Sequence, residues 1–218
     1  MDVQKKMERS VDSLQRLYAG VVALALAQGI SRLIFADMSS GQLLAWSDVV
    51  IRLPGFLSFF VVLVPFIHGM NRHLDDCYLR AGQPDVPLPP GGALLFDFFT
   101  FFIQAALLFV ISTTLAHPLR AFVLIGILLG IDVVWAFVAW CIHYRNPRRG
   151  FRDGPLPWLV VNASAMGLGL LLGLPRIYED SAKPWILLVV AVGRTTADYV
   201  FSWKFYFPRG ATTEREVP

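Results

Sequence analysis

Residues 184–208, which read PWILLVVAVGRTTADYVFSWKFYFP, form the last apolar stretch of the chain and decide its class. The stretch is long enough to cross a bilayer, since a membrane helix needs about 20 apolar residues. It nevertheless carries Arg194 near its middle and Asp198 one helical turn later. An ionised side chain in hydrocarbon costs about 3 kcal/mol on insertion scales. Because such a helix needs polar partners on other helices, the stretch predicts a bundle of membrane-spanning helices.

The composition of the whole chain supports this class. The chain has 218 residues, of which 56% are hydrophobic and only 16% are charged, whereas soluble domains have about 25% charged residues. We therefore predict an all-α integral membrane protein with about six transmembrane helices. The apolar runs that predict these helices lie near residues 17–36, 53–71, 93–115, 119–143, 156–174 and 184–208. The expected organisation is an amphipathic cytoplasmic segment 1–16, a transmembrane domain 17–208 and a polar tail 209–218.

The distribution of basic residues predicts the orientation of the bundle. If the N-terminus is cytoplasmic, 13 of the 19 Lys and Arg residues fall in cytoplasmic segments. This bias favours two cytoplasmic termini in a bacterial-type inner (plasma) membrane. The net charge of +3 is modest and sits at the ends of the apolar runs, so we expect no nucleic-acid partner. The two cysteines are too few for a disulfide framework.

Polar side chains within the apolar runs define a candidate site. From the helical rise, Asp97 and Asp198 lie about 8 Å from the cytoplasmic end, and Asp132 lies roughly 18 Å from it. We expect one buried polar network or ion pathway, in which Asp132 pairs with Arg194. Its members are Asp97, Gln104, Asp132, Asn162, Arg194 and Asp198. Three carboxylates face one guanidinium, so water, cations or bound protons must balance the surplus of acid.

A second set of polar residues lies where the second apolar run leaves the membrane. This cytoplasmic-face polar cluster consists of His68, Asn71, Arg72, His73, Asp75 and Asp76. Imidazole and carboxylate groups can bind zinc or iron. However, His68 and His73 are five residues apart and fall on different faces of a straight helix. The pattern therefore predicts no metal site, and we expect no cofactor.

These features leave three functional hypotheses. The surplus of buried acid favours a homo-oligomeric channel or pore that conducts protons or small cations. Alternatively, the charges only hold the helices together, and the chain is a non-catalytic membrane subunit that docks a cytoplasmic protein. The third hypothesis is a membrane enzyme that acts on a lipid-linked substrate near residues 68–76. A nucleophile with a matching base is not evident in the sequence, which favours a non-enzyme.

Overall fold

The computed structural model describes residues 3–37, 41–79, 92–144, 155–173 and 182–207. About 90% of these residues are helical. The helices are α1 (Val3–Ile34), α2 (Trp46–Leu74), α3 (Ala93–Thr113), α4 (Pro118–Ala139), α5 (Leu156–Gly173), α6 (Lys183–Phe201) and α7 (Trp203–Tyr206). α2 and α4 each continue into a π-helical segment, at Asp75–Leu79 and Trp140–Tyr144 respectively. A short antiparallel ribbon of β1 (Phe35–Asp37) and β2 (Gln42–Leu43) joins α1 to α2.

The six long helices form a closed ring. Around the ring the order is α1, α3, α4, α5, α6 and α2, and α2 closes the ring against α1. Each helix turns one face inward at helical spacing, as the buried residues Phe101, Gln104, Leu108 and Ile111 of α3 show. The centre of the ring is therefore the core of the protein, and side chains from several helices meet there.

The outer surface of the ring is strongly apolar. Exposed positions include Val134 (63%), Val189 (71%) and Leu171 (73%), far beyond the apolar patches of a soluble monomer. Five of the described helices are long and apolar enough to cross a membrane. The sixth apolar helix, α5, is shorter, with 18 residues or about 27 Å of helix. The architecture is compatible with the membrane location that the sequence predicts.

α1 and α2 both begin earlier in the chain than the sequence predicts. Residues 3–16 continue without a break into the first apolar run, so that α1 has 32 residues. Val11 and Leu14 from this polar segment are buried in the core, because the end of α2 packs beside them. α2 itself begins at Trp46, within the region 37–52 that composition indicates to be a loop. Buried apolar contacts therefore accompany the extension of α1, whereas the added first turns of α2 are mostly exposed.

A proline in α2 sets the position of α6. Pro65 has no amide hydrogen, so it cannot make the helical bond to the carbonyl of Val61 four residues earlier. The hydroxyl of Thr195 in α6 donates to this carbonyl at 3.0 Å. Since an unpaired backbone carbonyl in an apolar core is costly, this bond ties α6 to α2 directly beside Arg194.

We expect Thr195→Val to lower the free energy of unfolding by about 1 kcal/mol, because the Val61 carbonyl then has no donor. Thr196→Val is the matched control, since Thr196 is exposed on the same helix. The measurement is the unfolding transition in detergent micelles. In a Pro65→Ala background the new amide can donate to Val61, so the loss should shrink. An equal loss in both backgrounds would contradict this account of the contact.

Candidate functional site

Buried polar residues concentrate in one half of the ring. α2, α4 and α6 end in this half, and α3 and α5 begin there. Asp97 accordingly lies at the fifth position of α3, and Trp158 lies in the first turn of α5. The polar side chains form two adjacent groups, which we call the arginine network and the histidine cluster. The opposite half of the core is filled by apolar residues such as Leu108, Ile111 and Leu128.

The arginine network consists of Gln104, Asp132, Asn162, Arg194 and Asp198, which come from four helices. Gln104 Nε2 donates to Asp132 Oδ1 at 2.9 Å, and Asn162 Nδ2 donates to Asp132 Oδ2. Arg194 Nε donates to Asn162 Oδ1 at 2.8 Å. Arg194 Nη1 lies 3.6 Å from Asp198 Oδ2, one turn along α6. Arg194 therefore reaches Asp132 through the neutral amide of Asn162, whereas the sequence analysis expected a direct pair.

Asp198 also receives donors from the end of α6 and from α7. The hydroxyl of Tyr206 donates to Asp198 Oδ2 at 3.0 Å, and Ser202 Oγ lies 3.4 Å from Asp198 Oδ1. The ring of Tyr206 packs against the imidazole of His68, with centroids 4.6 Å apart. His68 is only half-buried. A hydrogen bond therefore joins the buried carboxylate to Tyr206, and a ring contact joins Tyr206 to a side chain near the end of the bundle.

A small cavity lies at the centre of the arginine network. It has a volume of about 20 Å³. Asp132, Asp198, Arg194 and Trp158 are among the residues that line it. Within the described part of the chain, Arg194 Nη1 and Trp158 Nε1 are buried donors without a hydrogen-bond partner. The cavity thus brings two unpaired donors and two carboxylates around a space that suits about one water molecule.

The histidine cluster is organised by the carboxylate of Asp97. His73 Nε2 lies 2.8 Å from Asp97 Oδ2, and the hydroxyl of Tyr78 donates to the same oxygen at 2.7 Å. Trp135 Nε1 donates to Asp97 Oδ1 at 2.8 Å. Asp97 and His73 are fully buried. Three donors fix this carboxylate, which in turn fixes the orientation of the His73 ring.

Two further side chains complete the histidine cluster. Cys77 Sγ lies 3.6 Å from His73 Nδ1, the ring nitrogen that faces away from Asp97. His143 lies beside them, with its ring centroid 5.4 Å from that of His73. Cys77 and His143 belong to the two π-helical segments. The cluster therefore comprises His73, Cys77, Asp97 and His143, and it combines imidazole, thiol and carboxylate groups.

Tryptophan side chains join the two groups. Trp135 donates to Asp97 in the histidine cluster, and it also lines the cavity of the arginine network. Its ring stacks on Trp158 with centroids 5.8 Å apart. Asp97, which the sequence analysis placed with Asp132, thus contacts His73 instead, and an indole separates the two carboxylates.

The residues of the predicted cytoplasmic-face cluster contact different neighbours. His68 Nδ1 lies 3.2 Å from the hydroxyl of Tyr199, and Arg72 Nε donates to the backbone carbonyl of Phe205. Asp75 accepts a hydrogen bond from Gln15 of α1. Asn71 and Asp76 are half-buried. His73 alone of this set joins a buried site.

Several site residues were not identified from the sequence. The four-residue spacing of His73 and Cys77 places both on one helical face, and this signal could have revealed their proximity. The positions of Trp135 and Tyr206 follow from helix rotation and from the turn after α6, for which the sequence carries no comparable signal.

We expect Asn162→Leu to lower the free energy of unfolding by about 2–4 kcal/mol, because Arg194 and Asp132 each lose a buried hydrogen bond. Leu171→Ala is the control, since Leu171 is 73% exposed on the same helix. Unfolding of both variants is measured by titration from mild detergent into a denaturing one. Equal stability of the two variants would show that Asn162 does not link the charges.

Comparisons of this chain with protein-family models, with curated proteins and with solved structures find no match. A functional proposal therefore depends on the geometry of the arginine network and the histidine cluster. The first group offers two carboxylates around a water-sized cavity, and the second offers nitrogen and sulfur atoms that could act as ligands.

Proposed function

We propose that this chain is a six-helix integral membrane protein with both termini in the cytoplasm, and that its arginine network passes protons. The apolar outer surface and the five long apolar helices support membrane insertion. The excess of Lys and Arg in the segments on one side supports the orientation. In this orientation the polar half of the bundle faces the cytoplasm.

Charge balance within the arginine network supports proton exchange. Two carboxylates, Asp132 and Asp198, surround the single guanidinium of Arg194. With all three groups ionised the network carries one net negative charge, which a low-dielectric core disfavours. One bound proton neutralises it. A buried group of this composition can therefore bind and release a proton with small movements of its side chains.

The size of the central cavity favours protons over metal cations, and it is the observation on which the proposal depends. A volume of about 20 Å³ accommodates one water molecule but no hydrated cation. One water at this position can accept hydrogen bonds from Arg194 Nη1 and Trp158 Nε1 and donate to a carboxylate. Protons can then exchange between Asp132 and Asp198 without an open pore.

In this proposal, protons leave the arginine network toward the cytoplasm through the contacts of Asp198. Tyr206 donates to Asp198, and its ring packs against the half-buried His68, so the last step to His68 needs a bridging water. Beyond Asp132 the core is apolar, with Ile125 and Leu128 in the next turns of α4. A complete path therefore needs an element outside one resting chain. Homo-oligomerisation supplies it in our proposal.

The groove between α5 and α6 suits a second copy of this chain. It has a volume of about 640 Å³ and is lined mainly by apolar residues. The small residues Ser164, Gly193 and Ala197 line it, and such residues allow close helix approach in membranes. Arg194 also borders the groove, so a neighbouring copy would abut the arginine network. Mass determination in mild detergent tests the assembly.

We expect proteoliposomes with the native chain to acidify under an imposed pH gradient, and Asp132→Asn and Asp198→Asn each to reduce the rate at least tenfold. Each substitution removes a proton-exchanging group and keeps its shape. Entrapped pH-sensitive dye measures the rate, with valinomycin present to balance charge. Asp48→Asn, at an exposed carboxylate in the first turn of α2, is the matched control.

Two outcomes of this experiment would contradict the proposal. Native flux equal to that of protein-free liposomes would remove the proton function altogether. Native flux that persists in both network variants, when these variants remain folded, would place the path elsewhere in the chain.

The closed centre also supports a second candidate function, that of a non-catalytic membrane subunit. In that case the arginine network only fixes the helix ring, and a cytoplasmic protein docks at the polar end of the bundle. Purification in a stable complex with one other protein, together with an absence of proton flux, would favour this function.

A further inference from the structure

We infer that His73, Cys77 and His143 form a binding site for a transition-metal dication, with Zn²⁺ as the best-matched ion. The inference is independent of the proton path, because it uses a different group of side chains. The ligand atoms of the three residues all lie within 4.8 Å of one another. All three come from the ends of α2 and α4, where the predicted orientation places the cytoplasm.

The distances within the cluster fit tetrahedral coordination. Zinc–sulfur and zinc–nitrogen bonds of about 2.3 and 2.1 Å at a tetrahedral angle separate the two ligand atoms by about 3.6 Å. His73 Nδ1 and Cys77 Sγ are 3.6 Å apart. Because the largest ligand separation is at most 4.8 Å, the remaining ligand needs to approach by roughly 1 Å around the ion.

Asp97 provides the support that metal-binding histidines usually have. Such a histidine commonly donates its second ring N–H to a carboxylate, which fixes the tautomer and strengthens the ligand. His73 Nε2 lies 2.8 Å from Asp97 Oδ2, so that Nδ1 is directed to Cys77. Tyr78 and Trp135 hold Asp97 through further hydrogen bonds. Asp97 is therefore a positioning residue, which acts on the ion through His73.

The backbone at the cluster gives an independent indication of function. Cys77 and His143 each lie in a π-helical segment of five residues, Asp75–Leu79 and Trp140–Tyr144. Such wider turns are rare and occur frequently at functional sites. Here they change the direction in which the side chains leave α2 and α4. Both π-helical segments thus contribute a side chain to the histidine cluster.

The donor set indicates the class of ion. One thiolate and two imidazoles suit Zn²⁺ and its spectroscopic substitute Co²⁺, whereas Mg²⁺ and Ca²⁺ prefer oxygen ligands. Three protein ligands leave one position for water or for a substrate atom, as in catalytic rather than structural zinc sites. A site of this kind would suit the hypothesis of a membrane enzyme, which the sequence analysis raised for residues 68–76.

The test uses the full chain in detergent, with any affinity tag removed. We expect about one Zn²⁺ per chain by elemental analysis after reconstitution and desalting. Titration of metal-free protein with Co²⁺ should produce visible d–d bands of tetrahedral cobalt and a thiolate-to-cobalt charge-transfer band in the near ultraviolet. Cys77→Ser should abolish the charge-transfer band, and Cys141→Ser, which changes an exposed cysteine, should retain it.

Four further variants separate ligands from positioning residues and from residues outside the cluster. His143→Asn should weaken Co²⁺ binding at least tenfold, whereas His117→Asn, at an exposed histidine, should not change it. Asp97→Asn should weaken binding about 10–100-fold and keep the charge-transfer band. Asp132→Asn should leave the cobalt spectrum unchanged, so that failure of this inference and failure of the proton proposal are distinguishable.

The native chain alone can overturn the inference. If folded wild-type protein shows no thiolate-to-cobalt band at saturating Co²⁺, the cluster is not a metal site. The same conclusion follows if the band persists in folded Cys77→Ser. These outcomes do not depend on whether the histidine variants fold.

Discussion

The burial of one guanidinium among side chains from four helices is the constraint on which this structure depends. Arg194 cannot lie in an apolar core unless Asn162 and Asp198 receive it, and Asn162 in turn connects it to Asp132. These bonds fix the rotation of α4, α5 and α6 relative to one another. Outside the network the same helices present apolar side chains, which pack in many arrangements of similar energy. The polar contacts therefore specify which arrangement forms.

Asn162 is the residue that links Arg194 to Asp132. Its amide is a donor on one side and an acceptor on the other, so it can satisfy a carboxylate and a guanidinium at once. The charges are thereby held apart by a neutral group. Separation weakens their attraction, and it also leaves Arg194 Nη1 beside the central cavity, where it makes no hydrogen bond and Asp198 Oδ2 lies 3.6 Å away. A direct ion pair between Arg194 and Asp132 would bind more tightly and would leave the carboxylate less free to exchange a proton.

The sequence was sufficient to predict the helical class and the apolar runs, because long runs of apolar residues have few alternatives to helix. It did not predict the rotation of each helix about its axis. For this reason Asp97 was expected beside Asp132, although Trp135 lies between them and Asp97 contacts His73. The ring order also depends on packing among similar apolar faces. The π-helical segments that direct Cys77 and His143 carry no compositional signal that distinguishes them from an ordinary helix end.

The lengths of α1 and of α2 with its π-helical segment determine how the histidine cluster can be reached. These elements have 32 and 34 residues, or roughly 50 Å each, against a hydrocarbon thickness of about 30 Å. They remain in contact up to the end of α2, where Gln15 bonds Asp75. In the orientation that we propose, this excess length would carry the end of α2, with Cys77, beyond the hydrocarbon core. The proposed metal ion would then reach the buried Cys77 from the aqueous side without crossing the hydrocarbon.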